Sequence, residues 1–281
     1  MPSAREFIDR FSNIKTLPHV VTKLSKMIGD DNATMKDFED IIKMDPTLVV
    51  RLLRLVNSPF YGLSHHIDSI SRAVTFIGMK NLHNMAVTDA LKHIFSAQEP
   101  STAFSRNRLW LHCATVSICA KMLAERIFGI NGDDAYLCGI LHDFGIIVEE
   151  QVAGEDFIKV CENCHPDTPL PIVERRILGT DHCQIGFIMT REWAMPETIQ
   201  IAIRDHHNEE GETPENLTSI IQIAEYITGQ MGYTALQNIP QKLPENLAAH
   251  VQENIDEYQV LIDDLPEEIC KAQDIYGSME E

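Results

Sequence analysis

The stretch LCGILHDFGIIVEEQ, residues 137–151, sets a histidine and an aspartate side by side in an apolar run. A carboxylate buried without a partner is costly, so His142 and Asp143 must be held by hydrogen bonds or by a metal ion. Four histidines share one property: each lies on an apolar helical face. His112 is followed by Val116, Cys119 and Leu123, and His142 aligns with Cys138 and Ile146. His182 aligns with Ile185, Met189 and Trp193, and His206 with Ile199, Ala202 and Ile203. Residues three or four apart share a helix face, so these imidazoles point inward. One inward histidine is ordinarily a core residue with a hydrogen bond. Four on four helices, with His207 and Asp143 beside them, also fit a metal site. Imidazole with carboxylate suits Fe, Mn, Zn or Ni, and helical bundles build such sites from facing side chains. The spacing leaves both readings open.

Other chemical motifs are weaker. Cys161-Glu162-Asn163-Cys164-His165 matches the C-x-x-C-H haem attachment pattern. That chemistry needs export, and the N-terminal MPSAREFIDRFSNIK lacks the apolar centre of a signal peptide, so no haem is expected. A zinc ribbon needs a second cysteine pair, which the sequence lacks. There is no glycine-rich phosphate loop and no G-x-S-x-G turn.

The elements that must position these residues read as helices almost throughout, without the alternating runs of strands. The expectation is an all-α protein. Pro18 opens a helix that Gly29 stops, and Thr34 with Asp37 forms a capping box for the next. Asp45-Pro46 caps TLVVRLLRLV, which ends at Asn57-Ser58-Pro59. The loop FYGLSHH follows, with Asn57 and Ser58 as caps and Phe60 and Tyr61 as anchors. Two further helices reach Gly78 and span Asn81 to Phe95. The polar segment SAQEPSTAFS places a hinge near residue 100. Beyond it a helix over 107–128 precedes one that carries the His-Asp pair. More helices fit 155–163, 170–178, 181–193, 196–207, 217–230 and 245–261, and PEEICKAQDIYGSMEE forms a last short one. The layout is an N-terminal helical layer over 1–100 and a helical core over 101–281.

Composition narrows the function classes. Of 281 residues, 44% are hydrophobic and 23% charged, which is ordinary for a globular chain. No apolar run approaches the ~18 residues of a membrane span, so no membrane association and a cytoplasmic location are expected. The seven cysteines are scattered, several of them in apolar helical pattern, as reduced buried thiols would be. The net charge of -19 is uneven. Residues 1–110 carry 14 Lys and Arg against 11 Asp and Glu, and the remainder 9 against 31. Such an acidic body repels phosphate backbones, so no nucleic acid partner is expected.

The metal-type residues, taken in order, resemble the HD superfamily of metal-dependent phosphohydrolases. Trp110-Leu-His112 is similar to the first ligand segment of that family and Leu141-His142-Asp143-Phe144-Gly145 to its doublet. Asp181-His182 is similar to the third segment and His206-His207 to the paired histidines, and the final acidic position falls on Glu225. The stretches IIKMDPTLVVRLLRLVNSPFYG, ISRAVTFIGMKNLHNMAV and HCQIGFIMTREWAMPETIQIAIRDHH resemble the HDOD branch over about residues 14–210. The resemblance implies an N-terminal helical layer on an HD-like core. It also implies one or two divalent metals held by His112, His142, Asp143, His182, His206, His207 and Glu225. Two functions follow from it. One is a signal-transduction module that acts through a protein partner. The other is a phosphohydrolase, in which Asp143 bridges the metals and acts with a metal-bound water. The chain departs from the branch that cleaves cyclic di-GMP. HHNEEGETPEN replaces D-G-x-G-Y-P after the paired histidines, and Ile146 stands where that branch carries lysine. Glu225 replaces aspartate. Arg108, Arg175, Arg176 and Arg204 are the nearest cations in sequence for holding a phosphate. Their scarcity and the missing lysine favour the signalling reading.

Overall fold

The computed structural model describes residues 3–11, 19–28, 30, 32–95, 104–165, 168–210, 213–236 and 242–272. Pro18, Gly29, the hinge segment at 96–103, the side chain of Phe60 and the tail from 273 lie outside the described residues. Within them the chain is all helical, apart from an isolated bridge between His165 and Thr168.

The first helix, α1 (Ala4–Arg10), is followed by α2 (His19–Ile28), α3 (Met35–Lys43), α4 (Pro46–Val56) and α5 (Ile70–Phe95). Thr34 and Asp37 close the expected capping box on α3, and Asp45 accepts from Thr47 and Leu48 at the start of α4. Each cap satisfies backbone donors that the first turn leaves unpaired. The long α5 is broken at Gly78, whose φ of 81° and ψ of 160° suit glycine. Helices α2, α3 and α4 pack on α5 through Val21, Leu24, Phe38, Ile42, Leu52 and Val74, all buried. The NSPFYG stretch ends α4 and turns through a 3-10 helix, Pro59–Tyr61. Asn57 pins the loop there: its amide donates to the Leu53 and Ile67 carbonyls, and its Oδ1 accepts from the Ile67 N–H.

The core is organised on α6 (Arg106–Met122), which continues as a π-helical turn, Leu123–Ile127. Nearly every α6 side chain is buried, so its sequence carries no amphipathic stripe. Around it lie α7 (Asp133–Leu141), α8 (Phe144–Asn163), α9 (Leu170–Ile177), α10 (His182–Glu192), α11 (Glu197–Asp205) and α12 (Leu217–Gln230). The last two helices are α13 (Glu245–Glu253) and α14 (Ile255–Lys271). Helix α1 lies against α8 and α10, with Phe11 edge-on to Phe144 at 6.4 Å.

Four boundaries differ from the sequence reading. The helix expected over 155–163 is the second part of α8, which runs on from Phe144 and is bent at Ala153. The doublet lies between helices: α7 ends at Leu141, His142 is its C-cap, and Asp143, at φ -100° and ψ 7°, opens α8. The helix expected over 245–261 is two, broken at Asn254 with φ -116°. The PEEIC run does not start a new helix, since Pro266 sits inside α14. Tertiary packing of Leu261, Leu265 and Ile269, all buried, overrides the proline there.

Candidate metal centre

Five helix ends and faces converge on one point. His112 projects from the middle of α6, and His142 with Asp143 from the α7–α8 junction. His182 opens α10, where the Asp181 side chain accepts from the Gln184 N–H. His206 and His207 follow the end of α11, and Glu225 faces in from α12. Two glycines permit this approach. A β-carbon on Gly139 would lie 2.5 Å from the Ser117 Cα, so α7 meets α6 backbone to backbone. One on Gly145 would lie 2.2 Å from the His182 carbonyl oxygen, so α8 abuts the start of α10.

The structure brings all seven predicted residues together. Each of four imidazoles donates its Nδ1 proton outward. His112 donates to the Tyr233 carbonyl at 3.0 Å, His142 to Gly139 at 2.8 Å and His206 to Ile203 at 2.7 Å. His182 donates to the Glu174 carboxylate at 2.7 Å. Such outer partners fix the ring and leave Nε2 free to bind a metal. The Nε2 atoms then face one another: 3.2 Å between His112 and His142, and 3.3 Å between His182 and His206. Two lone pairs at that distance repel unless a cation, proton or metal, lies between them.

Asp143 joins the two pairs. Its Oδ2 is 3.3 Å from both His112 Nε2 and His142 Nε2, and its Oδ1 is 3.4 Å from His182 Nε2 and 3.6 Å from His206 Nε2. Glu225 Oε1 lies 3.4 Å from His142 Nε2. Nitrogen and oxygen ligands about 2.0–2.2 Å from a tetrahedral ion are about 3.3–3.5 Å apart. The observed separations match that edge. Asp143 is 3% exposed, and its Oδ1 has no hydrogen-bond partner. A buried carboxylate oxygen left in that condition fits a cation ligand. The donor set therefore suits one or two divalent metals, and its chemistry is that of Fe, Mn, Zn or Ni.

The electrostatics agree. Burial raises the Asp143 and Glu225 carboxyls, but His142 and its neighbours outweigh it, holding Asp143 well below the usual carboxylate range and Glu225 at about 2. Burial lowers the His142 imidazole, yet Asp143 and Glu225 bring it up to about 10. The cluster thus attracts positive charge, which a divalent ion supplies by displacing protons. His207 differs: burial and the adjacent His206 keep it neutral.

A cavity of about 470 Å³ reaches the centre, lined among others by His112, Asp143, His206, His207, Glu225 and Lys242. None of the four arginines named from sequence lines it. Arg175 pairs with Asp181 at 2.5 Å and Arg204 with Asp205 at 2.6 Å. Lys242 is the one lysine or arginine on the wall among the described residues, facing a surface that also holds Asp143, Glu209, Glu225 and Glu245.

Sequence reasoning missed the supporting residues. Glu174, fully buried, accepts from both the Nδ1 and the backbone N–H of His182. Its placement four residues from both Leu170 and Leu178 marked an inward carboxylate. Glu149, also fully buried, lies against Glu174. Burial and the Glu174 charge push its carboxyl well up, so it carries a proton. Cys183, next to His182, carries no signal of its own in the sequence. Its Sγ is 3.4 Å from His182 Nε2.

Comparison with known proteins gives the same picture. The HDOD domain profile matches residues 14–209. An uncharacterized protein of Treponema pallidum (strain Nichols) is 27% identical over 250 residues, 85% of this chain and 47% of that protein. The chain thus spans about half the length of that relative. A solved HDOD domain protein of unknown function from Geobacter sulfurreducens is 25% identical and superposes with a TM-score of 0.69, over 93% of this chain and 96% of its own. A "putative signal transduction protein" from Marinobacter aquaeolei VT8 shares the fold at 21% identity and a TM-score of 0.74, over 99% of this chain and 66% of its own. The helical architecture, the ordered histidines from His112 to His207 and the profile match agree: the chain belongs to the HDOD domain family.

Proposed function

We propose that this chain is a regulatory HDOD module built on a divalent-metal centre and acting through a protein partner. His112, His142, Asp143 and Glu225 hold one ion, and His182, His206 and His207 hold a second, with Asp143 between them. The observation that carries the reading is the pair of facing Nε2 couples around an unpartnered, buried Asp143 oxygen. The regulatory role rests on the acidic cavity wall. With Lys242 as the one lysine or arginine on it among the described residues, against four carboxylates, the wall disfavours binding of a phosphorylated substrate. Ile146, fully buried where the hydrolysing branch carries lysine, cannot reach a ligand there.

A second reading, a metal-dependent phosphohydrolase, is favoured by one observation: five of the seven site residues, His112, Asp143, His206, His207 and Glu225, line the cavity. Bound metals supply the Lewis acidity that such a reaction requires. The chain would contribute positioning through the Glu174–His182 hydrogen bond and, at the cavity wall, Lys242 for the phosphate.

The test is elemental analysis of protein purified without chelator, beside a His142→Ala/Asp143→Ala double variant. One or two equivalents of Fe, Mn, Zn or Ni, lost in the variant, is the expected result. A well-folded wild type that takes up no metal after reconstitution overturns both readings. Turnover of phosphomonoesters or nucleotides by the loaded protein, lost in the same variant, would replace the regulatory reading with the second.

A further inference from the structure

We propose that Cys183 is a thiolate ligand of the second ion. The half-site built from His182, Cys183, His206 and His207 then selects a thiophilic metal, while the half-site of His112, His142, Asp143 and Glu225 does not. This inference rests on the metal reading above and adds a ligand outside the predicted set.

Geometry carries it. One ligand atom from each of His182, Cys183, His206 and His207 lies within 4.8 Å of the other three. A sulfur about 2.3 Å and a nitrogen about 2.0–2.1 Å from one tetrahedral ion are about 3.5 Å apart. Cys183 Sγ and His182 Nε2 are 3.4 Å apart, and His182 Nε2 and His206 Nε2 are 3.3 Å apart. A simple thiol-to-imidazole hydrogen bond does not account for both distances. His182 Nδ1 already donates to Glu174, so Nε2 has one lone pair facing two neighbours. A single cation on that lone pair satisfies the sulfur and the second imidazole together. An independent observation points to the same place. The Asp143 Oδ1 atom, buried and without a hydrogen bond, faces His182 and His206 at 3.4 and 3.6 Å.

Metal binding breaks the S–H bond, forms the sulfur–metal bond and releases the proton to solvent. Thiolate is the softest donor in the cluster, and soft donors sort metals by type.

The test uses the whole chain, stripped with chelator and loaded with Co²⁺, with cobalt stoichiometry measured separately. The expected result is a near-ultraviolet thiolate-to-cobalt charge-transfer band. Cys183→Ser should abolish the band, leave the first equivalent bound and weaken the second at least tenfold. Two bound cobalt ions without the band, or a band that survives in folded Cys183→Ser, would overturn the assignment of Cys183 while leaving the metal centre intact. No cobalt bound at all would overturn both. Should Cys183→Ser fail to fold, alkylation of the wild type decides. Metal should protect the Cys183 peptide from iodoacetamide, and equal labelling of the stripped and loaded protein would count against the ligand.

Discussion

At the residue scale the centre is set by what stands behind its histidines. Glu174 orients His182 through two hydrogen bonds, and the buried Glu149 lies against Glu174. Replacing Glu174 with Gln keeps the volume but removes the charge that holds the Nδ1–H. Metal affinity should fall about 10–100-fold, read by competition with a chromophoric chelator. Glu149 makes a prediction about pH. Its folded-state pKa is raised above the ordinary 4.5, so the folded protein holds a proton that the unfolded chain gives up. That contribution is fully present below 4.5 and is lost as pH rises. Glu149→Gln, neutral at every pH, should lose less stability than wild type between pH 5 and pH 8 in urea titrations. Equal slopes would show that Glu149 is ionised when buried. The inward histidines could be found because each has apolar residues three, four or seven positions away in the sequence. Glu174 and Glu149 were as inward, but a buried carboxylate is rarer than a buried imidazole and invites an exposed reading.

At the scale of elements, close contacts decide where the ligands lie. Gly145 presses the start of α8 onto the backbone of His182. Gly145→Ala must push α10 away, at a cost of about 1–3 kcal/mol. Thermal melts should show the loss, and the second metal equivalent should go with it. The N-terminal layer is tied to the core by another polar contact. His83 of α5 bonds to Ser25 of α2 at 2.8 Å and to Asn84, whose amide donates to the Asp133 carbonyl at the start of α7. Burial lowers the His83 imidazole to about 4. The unfolded chain therefore takes up a proton first, and the stability this neutral histidine secures is lost as pH falls from about 6.5 to about 4. The loss amounts to about 3 kcal/mol. His83→Gln should flatten that part of the stability profile, and an unchanged acid limb would assign it to other groups. Caps and a proline position made α3 and α4 legible almost to the residue. The break at Asp143 was not, because neither glycine nor proline stands at it and Gly145, two residues on, lies inside an apolar run. It is set by the packing of α8 against α10.

At the scale of the molecule, the two layers differ in charge and in burial. No helix among the described residues is long and apolar enough to cross a membrane. The fold class could be read from periodicity, since most helices carry one apolar face. The all-round burial of α6 and the exposure of the centre to a cavity could not, because both depend on which helices become neighbours. Metal should stabilise the whole fold. An ion that binds the native state alone adds about 2.7 kcal/mol at a concentration a hundred times its dissociation constant. Chelation should lower the melting temperature of the wild type and leave that of the His142→Ala/Asp143→Ala variant unmoved.

Asp143 lies between the two histidine pairs, and the groups around it come from positions as distant as 112 and 225. An ion seated there is in effect a cross-link that closes a loop of more than a hundred residues. Before α6, the α7–α8 junction, α10, α11 and α12 have all docked, there is no site to fill. Loading is then a late event on the folding pathway, and the rate at which the chain captures metal becomes a clock for the completion of its own topology.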